Sequence, residues 1–167
     1  MDTNAKKTAL RMIPYGLYVL TAETRDGRVA AATVNWVTQA SFEPPLVAVG
    51  VKVGSSPHAL IPETKCFALS ILGKGQGPVA FAFFKPAQRE GDKIGGEVVR
   101  TGKTGSPILA SAPAAVECEL VATVEQGDHA IFVGKVVEAA VTSEPGGRPD
   151  DATLWLKDLG DKVFYGG

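Results

Sequence analysis

Between Ala114 and Glu125 the chain alternates. Val116, Cys118, Leu120, Ala122 and Val124 fall on one face, and Glu117, Glu119, Thr123 and Glu125 on the other, with Val121 out of step. A period of two marks a half-buried strand. After the turn Gln126-Gly127-Asp128, the stretch "HAIFVGKVVEAAV" (His129–Val141) is apolar on both faces for most of its length. "YGLYVLTAE" (15–23) and "RVAAATVN" (28–35) flank Arg25-Asp26-Gly27, a hairpin signal. "PPLVAVGV" (44–51) and "CFALSIL" (66–72) are short apolar runs of strand length. Ser56 followed by Pro57 predicts a helix start, hydroxyl at the N-cap and proline in the first turn, with Pro62 as its end. Residues 77–85 predict a second short helix. Residues 86–113, rich in Gly, Lys, Arg, Pro and Ser, show little periodicity and predict a long loop of the functional or mobile kind. "TLWLK" and "KVFYGG" predict short closing strands.

Long strands joined by tight turns predict a mainly β protein, an antiparallel barrel of Greek-key type carrying two or more short helices. Strands apolar on both faces need cover outside the barrel as well as within it. A helix or a second subunit supplies that cover, so a homodimer is expected. No internal repeat or linker divides the chain, and one domain over residues 1–167 follows.

Composition narrows the function classes. The formal net charge is −1, which argues against a nucleic-acid partner. The run "MIPYGLYVL" after Lys6, Lys7 and Arg11 imitates a leader peptide, but Pro14 and Gly16 interrupt it and it reads as the first strand. No apolar run reaches the ~20 residues of a membrane span. Cys66 and Cys118, far apart and in apolar surroundings, read as buried small hydrophobes, in keeping with a reducing cytoplasm.

Four stretches could carry chemistry. In "TVNWVTQASFEPPLVAV" (33–49) the first half has strand spacing yet carries Thr33, Asn35, Trp36, Thr38, Gln39 and Ser41. A solvent-facing strand end explains Thr and Asn but not the tryptophan beside them. A flat heterocycle, needing an aromatic wall and a few amides and hydroxyls at its edge, explains both. The turn at Ser55 and Ser56 before Pro57 is either an ordinary cap or a phosphate cradle at a helix N-terminus. Lys85, Arg89 and Lys93 are either a solvated loop or phosphate ligands. His129, following Gly127-Asp128, is either packed or reactive. His58 is the other histidine, and its spacing from Cys and carboxylates suits no zinc site.

"IPYGLYVLTA", "TVNWVTQASFEPPLVAV", "FALSIL", the Gly91-Asp92-Lys93 triplet and "GDHAIFVGKVVEA" occur in this order. In that order the chain resembles the flavin reductase-like family of FMN-binding split β-barrels, flavoredoxin-like proteins and the flavin reductase domain found with rubredoxin above all. The resemblance covers about residues 8–166. It implies a homodimer binding FMN (FAD as the alternative) and taking a hydride from NAD(P)H as the small-molecule electron donor. It implies that Thr33, Val34, Asn35, Trp36, Thr38 and Ser41 line the isoalloxazine, with Asn35 bonding the ring edge and Trp36 near its face. Ser55 and Ser56, helped by Lys93, would hold the phosphate. His129 would stand by the flavin or the nicotinamide, and Phe164 or Tyr165 would approach from the C-terminal strand. Electrons would pass to rubredoxin, ferric iron, oxygen or a partner monooxygenase. Two rivals stay open: a non-catalytic flavin-binding or sensor module, and a pyridoxamine phosphate oxidase-like enzyme.

Overall fold

The computed structural model describes residues 1–167. In chain order the elements are helix α1 (Thr3–Arg11), strands β1 (Tyr18–Glu23), β2 (Val29–Val34), β3 (Val37–Ser41) and β4 (Leu46–Lys52), helix α2 (Ser56–Thr64), strand β5 (Cys66–Ile71), helix α3 (Gly77–Ala82), and strands β6 (Arg89–Glu90), β7 (Lys93–Ile94), β8 (Glu97–Thr101), β9 (Pro107–Leu109), β10 (Ala114–Glu125) and β11 (His129–Val141). No helix is long and apolar enough to cross a membrane.

Seven strands pair, antiparallel throughout, in the order β2-β1-β5-β10-β11-β4-β3. The two edge strands, β2 and β3, are consecutive in the chain, with Asn35 and Trp36 between them. The sheet curls until its ends share a core: Ala30 and Val34 from β2 pack with Val47, Val49 and Val51 from β4, around Phe67 and Phe132, and α2 adds Leu60 and Ile61. β2 and β3 do not pair with each other, so the barrel stays open along a seam rather than closing as a barrel without edges would.

A second core explains why β1 and β2 are apolar on both faces. Val19 and Ala31 point away from the barrel interior and pack under Ala80 and Phe83 of the α3 segment, with Ile94, Val99 and Leu109 from the smaller strands. The outer face of β10 and β11 has no such cover. Val124 and Ile131, register partners there, are both exposed.

Several expectations are corrected. Residues 86–113 are not a structureless loop but a four-stranded sheet, β6-β7-β8-β9. Its strands are two to five residues long and turn at glycines with positive φ (Gly91, Gly95, Gly96, Gly105), too short for any period to register. An unexpected helix, α1, precedes the first strand, which begins only at Tyr18. The helix buries no residue, so it leaves no apolar stripe to read. Helix α2 is capped by Ser55, one residue earlier than expected, and runs through Pro62 to a left-handed cap at Lys65. The two closing strands do not form: residues 162–167 carry no strand, Thr153 and Trp155 make only isolated bridges, and the regular elements near them are 3-10 turns at Pro149–Ala152 and Leu156–Leu159. Between them, the Leu17 N–H donates to the Leu154 carbonyl and the Leu156 N–H to that of Tyr15 (both 2.9 Å), which brings the C-terminal residues to the seam.

Candidate functional site

The seam is where the functional side chains gather. At Asn35 and Trp36 the chain leaves one sheet edge for the other. The Trp36 carbonyl accepts from the Gly50 N–H at 2.8 Å, and the indole lies against Gly50. A Cβ on Gly50 would stand 3.1 Å from the indole Cε3, so a bare backbone is what lets the ring lie close to β4. The indole Nε1 is buried with no hydrogen-bond partner in the protein. A buried donor left so costs about 1–3 kcal/mol, which points to an acceptor from outside the chain.

His129 opens β11, opposite Lys52 of β4. Its ring lies 4.5 Å from the Trp36 ring, centroid to centroid, and Tyr165 lies 5.4 Å from Trp36. Asp128 Oδ1 sits 2.9 Å from His129 Nδ1, and the Tyr165 hydroxyl 2.7 Å from Nε2. A carboxylate only accepts, so Nδ1 carries a proton; in the neutral ring Nε2 then accepts from Tyr165. The bond to His129 holds the Asp128 carboxyl below its ordinary range. Burial, with the Asp128 charge behind it, pushes the Tyr165 phenol above its own, so it stays a hydroxyl near neutral pH. Asn35, 6% exposed, donates from Nδ2 to the Tyr165 carbonyl at 3.3 Å.

Two cavities flank this cluster, and Gly50 and His129 line both. The smaller, about 250 Å³, takes Thr33, Val34 and Asn35 on one side, Lys52 and Ser55 on another, with Phe84 and Tyr165. The larger, about 670 Å³, is walled by Trp36, Val37, Thr38, Tyr15, Ile131 and Asp128 among others.

The structure sorts the expected residues. Asn35, Ser55, His129 and Tyr165 meet at the smaller cavity, and Trp36 and Thr38 at the larger. Thr33 lines the smaller cavity, but its hydroxyl donates to the Ala80 carbonyl at 2.7 Å and ties α3 to β2. Val34 belongs to the barrel core as well. Ser41 ends β3, away from both cavity walls. Ser55 Oγ donates to the Lys52 carbonyl (2.7 Å) and accepts from the His58 N–H (3.4 Å). With Pro57 lacking an N–H, Ser56 supplies the first-turn donor that this cap does not use. Lys93 lies on β7, off both walls, and Phe164 lies beneath the Arg11 guanidinium at 4.3 Å. Lys52, Gly50, Asp128 and Phe84 were missed. Of these, Asp128 and Lys52 had a signal, being charged residues directly flanking His129 and the Ser55 turn.

The donor set suits a flavin. A flavin ring offers carbonyls and ring nitrogens as acceptors; the wall offers an amide, an unpaired indole N–H and aromatic faces, with a lysine and a helix N-terminus at the far end.

Comparison with known proteins agrees. The model of the flavin reductase like domain matches residues 10–158. The NADH-dependent flavin reductase StyB of Pseudomonas fluorescens is 36% identical over 136 residues, covering 81% of this chain and 77% of that protein. High molecular weight rubredoxin of Moorella thermoacetica is 35% identical over 144 residues, 84% of this chain. The chain spans 60% of that relative's length and 25% of the length of diflavin flavoprotein A 1 of Synechocystis. Among solved structures, the styrene monooxygenase flavin reductase of Pseudomonas putida S12 superposes with a TM-score of 0.71 at 32% identity, covering 83% of this chain and 88% of that one. The NADH:FAD oxidoreductase SgcE6 of Streptomyces globisporus, in complex with NAD and FAD fragments, gives 0.68 at 31% identity, covering 77% and 76%.

Proposed function

The chain belongs to the flavin reductase like domain family, and on that footing we propose that it is an NAD(P)H-dependent flavin reductase working with FMN or FAD at the Asn35–Trp36 seam. The observation that carries this reading is that Asn35 and Ser55, the expected ring-edge and phosphate residues, line one cavity together with His129. The flavin, when bound, supplies the hydride chemistry.

The residues divide the remaining work. Asn35 is the ring-edge donor and Trp36 the wall. Their rigid setting at the crossing between two strands keeps both groups aimed before the ligand arrives. Ser55, Ser56 and Lys52 form the phosphate end, where a helix N-terminus and a cation both favour negative charge. Lys93, on β7 and off both cavity walls, takes no part in this phosphate end. His129 positions the nicotinamide. Hydride transfer itself needs no proton from it, and its bond to Asp128 fixes which nitrogen faces the ligand. The walls of the larger cavity, mostly apolar, exclude water from the exchange.

A homodimer fits the uncovered β10–β11 face, where Val121, Val124 and Ile131 are exposed together. Ile131 also lines the larger cavity, so a second copy there would border the site. Similarity to a high molecular weight rubredoxin and to a styrene monooxygenase flavin reductase supports two kinds of electron acceptor, a rubredoxin and a monooxygenase partner.

The test is an absorbance spectrum of the purified protein with FMN, and separately with FAD, before and after anaerobic NADH or NADPH. Bleaching of bound flavin at a rate well above that of free flavin is expected. Flavin that binds and stays oxidised would leave a non-catalytic flavin module; flavin that does not bind would overturn the reading.

A further inference from the structure

The segment Val163–Gly167 lies across the seam and engages the groups that a flavin ring would use. The Tyr165 carbonyl accepts from the Asn35 amide, and its hydroxyl meets His129 Nε2. Gly166 lies over the indole: a Cβ there would come 3.4 Å from Trp36 Cζ2 and 3.5 Å from Nε1. The smaller cavity, with Tyr165 in its wall, measures about 250 Å³. That is below the ~300–1,000 Å³ typical of a pocket for a ligand of this size. Both cavities touch Gly50 and His129, so Tyr165 stands near the division between two lobes of one cleft.

Resting on the flavin reading above, we propose that Tyr165 is an internal competitor for the ring site: the segment Val163–Gly167 is a displaceable strap whose carbonyl and phenol hold Asn35 and His129 until the flavin ring displaces them. The strap presents a carbonyl to the Asn35 amide much as the ring edge would, and an aromatic ring to Trp36. Its outer attachment is slight. Arg11 Nε donates to the Gly166 carbonyl at 3.2 Å, and the Arg11 guanidinium covers Phe164. Tyr165 itself is 46% exposed. A strap closed most of the time lowers the apparent affinity for flavin by the fraction of time the site is open, and loosening it recovers that affinity.

The sign of the effect separates this from its opposite, a tail that closes over bound flavin and helps hold it. Three proteins are compared: the full chain, Tyr165→Phe, which removes the bond to His129, and Arg11→Ala, which loosens the strap from outside. Arg11 lines neither cavity at the seam. FMN association rate and dissociation constant are read by quenching of flavin fluorescence. Losing one strap hydrogen bond should tighten FMN binding by about three- to tenfold in either variant, chiefly through faster association. Weaker binding in the variants, or no change, overturns the strap while leaving the flavin reading in place. Indifference to FMN in all three proteins overturns both. Circular dichroism confirms that each variant is folded.

Discussion

The Trp36 indole lies against the bare backbone of Gly50, close enough that a Cβ on residue 50 would fall 3.1 Å from Cε3 and 3.2 Å from Cβ of the tryptophan. Gly50 has no positive φ, so a side chain there meets only crowding and no backbone strain. Gly50→Val should push the indole off β4 at a stability cost of about 1–3 kcal/mol. FMN should bind at least several-fold more weakly, read by titration, with tryptophan emission shifted toward the red. Unchanged FMN affinity in a folded Gly50→Val protein would take the indole out of the flavin wall.

His129 is held between Asp128 and Tyr165, at 2.9 and 2.7 Å. If it positions the nicotinamide, His129→Asn should keep FMN bound, or bind it tighter because the strap loses its latch. The kcat/KM for NADH should fall about tenfold, equivalent to ~1.4 kcal/mol of lost transition-state stabilisation. Stopped-flow reduction of bound FMN measures this directly. A wild-type reduction rate would confine His129 to packing and latching.

Glu117 offers a test of stability rather than chemistry. It is 3% exposed and accepts from the backbone N–H groups of Lys103 (3.0 Å) and Thr104 (2.7 Å) and from the Thr104 hydroxyl (2.8 Å). Burial by itself would raise its pKa. The Thr104 and Lys103 N–H groups and the Thr104 hydroxyl outweigh that and hold it below the ordinary value. A lowered folded-state pKa means the contribution is full above the unfolded-state pKa and is lost as pH falls through the folded one. Glu117→Gln should therefore destabilise the protein by about 1–3 kcal/mol near neutral pH. In urea unfolding the gap to wild type should narrow on acidification below about pH 4. A gap independent of pH would mean that the carboxylate charge is not what holds the Lys103–Thr104 turn.

The same glutamate shows where sequence reading stopped. Strict alternation along β10 put Glu117 opposite Cys118, on the polar face. The two do face opposite ways: Cys118 enters the barrel core, and Glu117 is buried on the other face under the Lys103–Thr104 turn that it holds. The register of β10 against β5 runs unbroken through both residues, so the period was read correctly; the cover comes from a distant turn, and nothing in residue type announces it. The bounds of β10 and β11 were legible because each strand is long and ends in a polar turn. β6 to β9 were not, because two to five residues between glycine turns carry no measurable period. At the seam, Asn35-Trp36 stood out because polar and aromatic side chains sit together just before a buried strand. Gly50 did not, because its role depends on which strand pairs across from Trp36.

The uncovered face of β10 and β11 predicts its own assembly. Val124 and Ile131 pair in register and are 45% and 44% exposed. Val124→Lys sets a charge in the middle of that apolar patch while leaving the barrel core untouched. Sedimentation should find the wild type as a dimer and the variant shifted to monomer at micromolar concentration, since an unpaired charge buried at an interface costs several kcal/mol. A wild-type monomer, or a variant that dimerises as well, would place the second copy elsewhere or nowhere.

The phosphate end comes down to a choice between two lysines. The family resemblance points to Lys93, but Lys93 lies on β7 and lines neither cavity at the seam. Lys52 lines the smaller cavity beside Ser55 and opposite His129. A cation that serves a phosphate discriminates FMN from riboflavin, which has the same ring and no charge. Lys52→Ala should weaken FMN by about fivefold and riboflavin hardly at all, the modest figure reflecting an exposed side chain. The FMN penalty should shrink as ionic strength rises toward 1 M, where screening acts within about 3 Å. Lys93→Ala, titrated in parallel, should match wild type with both ligands. Should Lys93→Ala carry the FMN-selective loss instead, the phosphate runs toward the smaller sheet, and the ring lies turned around at the seam, its tail away from Lys52 and Ser55.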